Sequence, residues 1–219
     1  MRRMRSVVLP AVVALLVLGL APAAHAVAIA LSNTGLGAEG SAEPNYTLIS
    51  SPCASASCGG VFVAITDGYP IGPWFANNAT SKWIKPQGGA VDDDPDGDYT
   101  YRTTFDLTGL DPTTATITGQ WATDNAGGDI LINGISTGYA TGIQSYLAFS
   151  AFSISGGFVA GLNTLDFLVN NDPCPCNNPS GLRVEMTGTA TAVPEPSTLL
   201  LMGAGVLVLL GRSRRLLAP

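Results

Sequence analysis

Apolar and polar residues alternate with a period of two along much of the chain between residues 46 and 186. The clearest case runs from Tyr99 to Leu107, where the odd-numbered side chains are mostly apolar and the even-numbered ones are polar. Such a pattern predicts a β-strand with one face buried and the other in water. Ala115 to Trp121 repeats it, with Trp121 on the core-facing side, and so do Asn163 to Asn170 and Leu182 to Met186.

Shorter β-rich runs separated by Gly, Pro, Asn and Asp extend this pattern, and none of the stretches between them has a helical period of useful length. Asn133-Gly134 predicts a tight hairpin turn. We predict eight or nine strands in an all-β fold, a two-sheet antiparallel β-sandwich of the jelly-roll type. The further predicted strands are Tyr46 to Ser50, Val61 to Thr66, a short strand near Trp83, Asp129 to Ile132 and Phe149 to Phe158, and Thr187 to Val193 is predicted as strand end and linker.

The N-terminal end has the pattern of a secretory signal peptide. Three arginines precede an apolar run from Val7 to Leu20, and Ala24-His25-Ala26 supplies the small residues that a signal peptidase recognises. We therefore expect residues 1–26 to be a signal peptide, with Ala24 and Ala26 marking the cleavage site. Export through the Sec translocon follows from this expectation.

The C-terminal end combines a proline-rich break, a short apolar run and a basic cluster. Pro194-Glu195-Pro196 interrupts regular structure because proline lacks a backbone donor. The uncharged run from Thr198 to Gly211 predicts a helix of roughly 21 Å, short for a hydrocarbon core of roughly 30 Å. Arg212, Arg214 and Arg215 favour a cytoplasmic position for its far end. We expect a signal peptide at 1–26, one β-sandwich domain at 27–192 and a sorting tail at 193–219.

These three C-terminal features, in this order, resemble the PEP-CTERM sorting signal of Gram-negative bacteria. The resemblance implies recognition by an exosortase, a membrane-embedded cysteine transpeptidase, and cleavage near Pro194-Glu195-Pro196. It also implies a tail that holds the chain in the inner membrane transiently, before delivery to the cell surface or the extracellular matrix. A plain C-terminal membrane anchor is the alternative.

Three segments of the body carry a second resemblance. Trp121 to Asn125, Ile130 to Gly134 and Gly161 to Asn171, taken in this order, look like the galactose-binding-like jelly roll. This resemblance implies a fold that is often carbohydrate-binding, but a fold alone does not transfer a ligand.

Charge and histidine content exclude several classes of function. The body between the two ends carries four basic and fifteen acidic residues, a formal charge of −11. Such a surface repels phosphate backbones, so we expect no nucleic-acid partner. The single histidine of the chain, His25, lies in the predicted signal peptide. A catalytic triad or a zinc site that needs an imidazole is therefore not expected in the body.

An acidic run in the middle of the chain is a candidate metal site. Asp92, Asp94, Asp96 and Asp98, with Gly97 among them, have the spacing of the first half of a calcium-binding loop. The last position of that motif, normally Glu, is Thr103. A solvated acidic loop without a cation is the alternative, and we expect no other cofactor.

Aromatic and amide side chains are the candidate ligand-binding groups. Trp74 and Trp83 lie in a long connection and have the chemistry of a stacking platform for a sugar ring, or else of a lid over the core. Asn170 and Asn171 precede the last predicted strand, where their amides suit either sugar hydroxyls or turns.

Four cysteines fall in the exported body, where an oxidising compartment favours disulfides. They form two close pairs, Cys53 with Cys58 and Cys174 with Cys176. A bond between Cys174 and Cys176 would close a very small ring across Pro175, so bonds between the two pairs are favoured. Two local bonds remain the alternative.

These observations indicate an exported surface or extracellular-matrix protein without catalytic activity that associates with exopolysaccharide. A lectin-like protein with a defined glycan ligand is the alternative function, and an enzyme acting on polysaccharide is the less favoured one.

Overall fold

A computed structural model of the chain describes residues 25–53, 60–64, 74–88, 93–175, 178–193 and 203–205. The chain divides into two compact units. One is Ala26–Thr191, and the other consists of Met1–His25 together with Ala192–Pro219. Within the second unit the structure describes residue 25, where His25 accepts a hydrogen bond from the Ala192 amide at 3.0 Å, residues 192 and 193, and the helical residues 203–205.

The predicted signal peptide and most of the predicted tail helix lie outside the described residues, so both remain predictions. In the part of the chain that the structure does describe, there is no helix long and apolar enough to cross a membrane.

The first unit is built from strands, numbered here in chain order. They are β1 (Ala26–Ala28), β2 (Thr47–Ser50), β3 (Phe62–Val63), β4 (Ile84–Lys85), β5 (Gly97–Asp106), β6 (Leu110–Asp124), β7 (Ala126–Ile132), β8 (Ile135–Ser136), β9 (Ser150–Ile154), β10 (Leu162–Asn171) and β11 (Gly181–Ala192). One short 3-10 helix, Ser145–Leu147, precedes β9. The predicted all-β fold is confirmed.

The strands form two antiparallel sheets. The six-stranded sheet has the order β3-β4-β11-β6-β9, with β1 also paired to β11, and the five-stranded sheet has the order β2-β5-β10-β7-β8. The long strands β5, β6, β7, β9, β10 and β11 pass to the opposite sheet at each step except within the β7–β8 hairpin. This alternation is consistent with the predicted jelly roll.

The side chains predicted to face inward form the core between the sheets. Tyr99, Tyr101 and Phe105 of β5 are buried, as predicted from the period of two. Trp121 is fully buried, with its ring centroid 5.9 Å from that of Phe167 on β10.

The last strand is longer than predicted. Thr187 to Val193 was expected to end a strand and continue as a linker, but β11 extends to Ala192. The reason is a non-local partner, because β1 pairs with β11 from Ala26 opposite Thr191 to Ala28 opposite Thr189. The Thr191 amide also donates to Thr114 Oγ1 at 2.8 Å.

Pairing between β5 and β10 determines what meets at one end of the sandwich. The register runs without a break from Asp106 opposite Leu162 to Gly97 opposite Asn171. The acidic run before β5 is therefore brought beside the connection between β10 and β11.

Candidate functional site

The described part of the acidic segment, residues 93–98, is held to its neighbours by hydrogen bonds. Asp92 lies outside the described residues. Asp94 is 2% exposed; its Oδ1 accepts from Gln87 Nε2 at 2.8 Å, and its Oδ2 accepts from the Ser180 amide at 2.9 Å. Asp96 Oδ1 accepts from Asn178 Nδ2 at 2.8 Å. The segment thus holds the start of β5 against the connection that leads into β11.

The same contacts bear on the predicted calcium site. Asp98 Oδ1 accepts from Asn170 Nδ2 at 2.7 Å, so Asp94, Asp96 and Asp98 all have protein donors. Among the described residues, which do not include Asp92, no three acidic, cysteine or histidine side chains are grouped closely enough to hold a metal ion. Calcium binding remains an untested alternative, against which the protein donors of Asp94, Asp96 and Asp98 argue.

The side-chain amides of Asn170 and Asn171 form hydrogen bonds with other parts of the protein. The amide of Asn171, a fully buried residue, donates to the backbone carbonyls of Asp94 at 3.1 Å, Pro95 at 3.3 Å and Asn178 at 3.4 Å. The half-buried Asn170 donates to Asp98. These contacts correspond to the turn-stabilising alternative, since both side-chain NH₂ groups donate to protein acceptors.

Trp74 and Trp83 do not form the predicted stacking platform. Trp74 is 6% exposed and Trp83 is fully buried, and their ring centroids lie 4.4 Å apart. Trp83 Nε1 donates to the Phe75 carbonyl at 3.0 Å. The platform prediction is wrong because neither ring offers a face to a ligand. The lid alternative holds in a modified form: the rings pack on Ala122, the outward neighbour of Trp121, and so cover the outer face of β6.

A buried carboxyl lies under this lid. Asp124, the last residue of β6, is 5% exposed, and its Oδ2 accepts from Trp74 Nε1 at 2.8 Å. The pKa of Asp124 is raised to about 6: burial is the main cause, the hydrogen bond from Trp74 lowers the pKa, and the charge of Asp94 raises it. Burial likewise raises the pKa of Asp94, against hydrogen bonds from Ser180 and Gln87 that lower it.

Sequence reasoning missed this acidic pair. Thirty residues separate Asp94 from Asp124 along the chain, and only the packing of the connection near Ser180 brings them into one environment. Ser180 donates its amide to the Asp94 carboxylate and its hydroxyl to the Asp124 carbonyl at 3.3 Å. Burial disfavours the charged form of both carboxyls.

A buried arginine of β11 binds the connection between β3 and β4, which carries Trp74. Arg183 is fully buried, donates to Ser81 Oγ at 2.7 Å and to the Ala76 carbonyl at 2.6 Å, and lies over the rings of Phe75 and Phe149 at 4.7 and 5.0 Å. Its Nη2 is 3.6 Å from Glu185 Oε1. A buried charge needs such partners, so the connection is fixed over the outer face of the six-stranded sheet.

Beside this connection, an open groove lies on the outer face of β6 and β11. Its volume is about 410 Å³. Its lining comprises residues of both strands and of two loops, namely Asn33, Thr80, Thr118, Gly119, Gln120, Glu185, Met186 and Thr187. None of these residues was predicted as a site. The available signal was weak, consisting only of threonines at alternate positions of two strands.

Two of the four cysteines lie in the described part of the chain. Cys53 and Cys174 are both disulfide-bonded, and neither described cysteine is free. Cys58 and Cys176 lie outside the described residues, so the pairing remains a prediction. A Cβ placed on Gly97 would lie 3.1 Å from Pro52, and Gly97 faces Asn171 in the sheet. Cys53 follows the end of β2 and Cys174 follows the end of β10. Both cysteines therefore lie beyond the same end of the five-stranded sheet.

The predicted sorting residues, Pro194, Glu195, Pro196, Arg212, Arg214 and Arg215, also lie outside the described residues, as does Ala24, whereas Ala26 begins β1. Comparison with known families gives one match here: residues 192–215 match the PEP-CTERM protein-sorting motif. No curated protein matches the chain.

Proposed function

We propose that this chain, whose PEP-CTERM motif marks it as an exported protein sorted by an exosortase, is a non-catalytic component of the cell surface or extracellular matrix that associates with exopolysaccharide. The observation that carries the proposal is the motif match over residues 192–215.

The position of the motif relative to the strands supports sorting by removal of the tail. The motif begins at Ala192, the last residue of β11, and the pairing of β11 with β1 ends at Thr191. Cleavage beyond Val193 would remove no complete strand and no residue of the compact unit Ala26–Thr191. The sandwich would then keep its core after processing.

The absence of catalysis is supported by the chemistry of the body. Its sequence has no histidine after His25. Two of the buried carboxyls, Asp94 and Asp124, accept hydrogen bonds from Gln87, Ser180 and Trp74. These acids are explained by their part in fastening the end of the sandwich.

Association with exopolysaccharide is supported by the groove on β6 and β11, whose lining is rich in hydroxyl and amide groups. Such groups can donate hydrogen bonds to sugar hydroxyls and accept hydrogen bonds from them. A role in a hydrated matrix also agrees with a formal charge of −11 on the body, which keeps the protein soluble.

Replacing Pro194-Glu195-Pro196 with three alanines tests the sorting part of the proposal. In the native host, the unaltered chain should reach the surface or the medium, and the variant should accumulate in the inner membrane. Pro44→Ala, a change at an exposed proline outside the motif, is the matched control and should be exported normally. Equal export of the triple variant would show that this motif does not direct sorting.

A further inference from the structure

The outer face of the six-stranded sheet presents an ordered set of threonines. Thr116 and Thr118 of β6 and Thr187 and Thr189 of β11 are exposed, and Thr116 Oγ1 lies 3.5 Å from Thr189 Oγ1. Side chains on one face of a strand repeat every ~6.8 Å, and neighbouring strands lie ~4.8 Å apart. Each threonine adds one hydroxyl and one methyl group, so the face offers both hydrogen bonds and small apolar contacts.

This threonine face shares Thr118 and Thr187 with the groove, and another lining residue, Asn33, is held by hydrogen bonds. Thr118 and Thr187 line the groove together with the loop residues Asn33 and Thr80. Asn33 is fixed because its Oδ1 accepts from the Met186 amide at 2.8 Å and its Nδ2 donates to the Thr80 carbonyl at 3.3 Å. A ligand would therefore meet a site that is already ordered, which lowers the entropy lost on binding.

The charges in and around the groove determine which class of ligand it can bind. Of the residues that line the groove, Glu185 is the charged one, and its carboxylate already accepts from Asn78 at 3.0 Å, Ser81 at 2.8 Å and Gln120 at 2.9 Å. A polyanion would be repelled by the acidic body, and a cation would find no uncommitted carboxylate among these lining residues. A neutral, hydroxyl-bearing chain avoids both costs.

We infer that the groove and the threonine face together bind one chain of a neutral polysaccharide. The inference rests on the proposed function and gives its polysaccharide association a site and a ligand class. The threonine hydroxyls act as both donors and acceptors towards sugar hydroxyls, and the threonine methyl groups contact the apolar faces of the sugar rings. The groove is open, so a polymer can continue across the threonine face in either direction.

The test measures retardation of the full-length chain, kept in mild detergent, in native gels that contain galactomannan, a neutral glucan or the polyanion alginate. The double variant Thr118→Val/Thr187→Val removes two hydroxyls, while β-branched side chains of similar size preserve the strands. Loss of two hydrogen bonds should weaken binding to a neutral polysaccharide by about tenfold or more.

The matched control is Thr104→Val/Thr164→Val, a facing threonine pair on the other sheet, which should bind like the unaltered chain. Weaker binding confined to the groove variant supports the inference. Equal binding by all three proteins overturns it and leaves the proposed function intact. Preferential binding of alginate overturns the neutral ligand class. Binding of none of the polysaccharides overturns both the inference and the proposed association, while the sorting motif is unaffected.

Discussion

Replacing Asp124 with asparagine should make the protein more stable at neutral pH. Asp124 is 5% exposed, and burial raises its pKa from 3.8 to about 6. A shift of about two units corresponds to roughly 3 kcal/mol of free energy of unfolding. The folded state binds the proton more tightly than the unfolded state does. The stabilisation that Asp124 gives by binding this proton is therefore fully present below pH 3.8 and is lost as the pH rises to about 6.

The asparagine variant keeps the geometry without this penalty, because its side-chain oxygen can still accept the hydrogen bond from Trp74 Nε1. Urea denaturation followed by tryptophan fluorescence at pH 4 to 7.5 gives the free energy of unfolding. At pH 4 the two proteins should be nearly equal. At pH 7.5 the variant should be more stable by up to about 3 kcal/mol.

Asp111→Asn is the matched control, a half-buried aspartate at the start of β6. Hydrogen bonds from the Thr113 hydroxyl and amide lower the pKa of Asp111, so its stabilising contribution is present above pH 3.8 and is lost only at lower pH. The difference between this control and the unaltered protein should stay constant from pH 4 to 7.5. If Asp124→Asn also gives a constant difference, or is less stable throughout, the reasoning about its burial is refuted.

Three further predictions concern packing, metal binding and disulfides. Gly127→Ala should lower stability by about 1–3 kcal/mol in thermal melts because a Cβ there would clash with the Trp121 ring, whereas Gly128→Ala, with its nearest atom at 3.6 Å, should be nearly neutral. Melting temperatures in millimolar calcium and in chelator should agree, since the carboxylates of Asp94, Asp96 and Asp98 already have protein donors; a rise with calcium would restore the metal site. Non-reducing peptide mapping should find the Cys53 peptide linked to the peptide that contains Cys174, because both cysteines follow strands at the same end of one sheet. Two local bonds would contradict this.

The strands and the sheet faces were predictable because they depend on short-range periodicity. Tyr99, Tyr101 and Phe105 alternate with polar residues, and their burial follows directly. The hairpin at Asn133-Gly134 was predictable for a similar reason, since both residues adopt positive φ angles, 52° and 79°. Strand β1 was missed because three small residues carry no periodic signal, and its pairing with β11 joins opposite ends of the sequence.

The site was less predictable because it depends on which surface a long connection covers. Trp74 and Trp83 have the residue type of a sugar platform, and only the packing of their connection over Ala122 decides that they are buried. Asp124 resembles any acid at the end of a strand until that connection covers it and shifts its pKa. The groove is bounded in part by the same connection, through Thr80, so its lining could not be read from β6 and β11 alone.

The central claim is that the PEP-CTERM motif at residues 192–215 directs sorting and removal of the tail. Intact-mass measurement of the protein recovered from the surface or medium of its native host tests this most directly. We expect a mass that lacks Leu199 to Pro219 and corresponds to a C-terminus near Pro194-Glu195-Pro196. Exported protein that retains Leu199 to Pro219 would show that the tail is not removed.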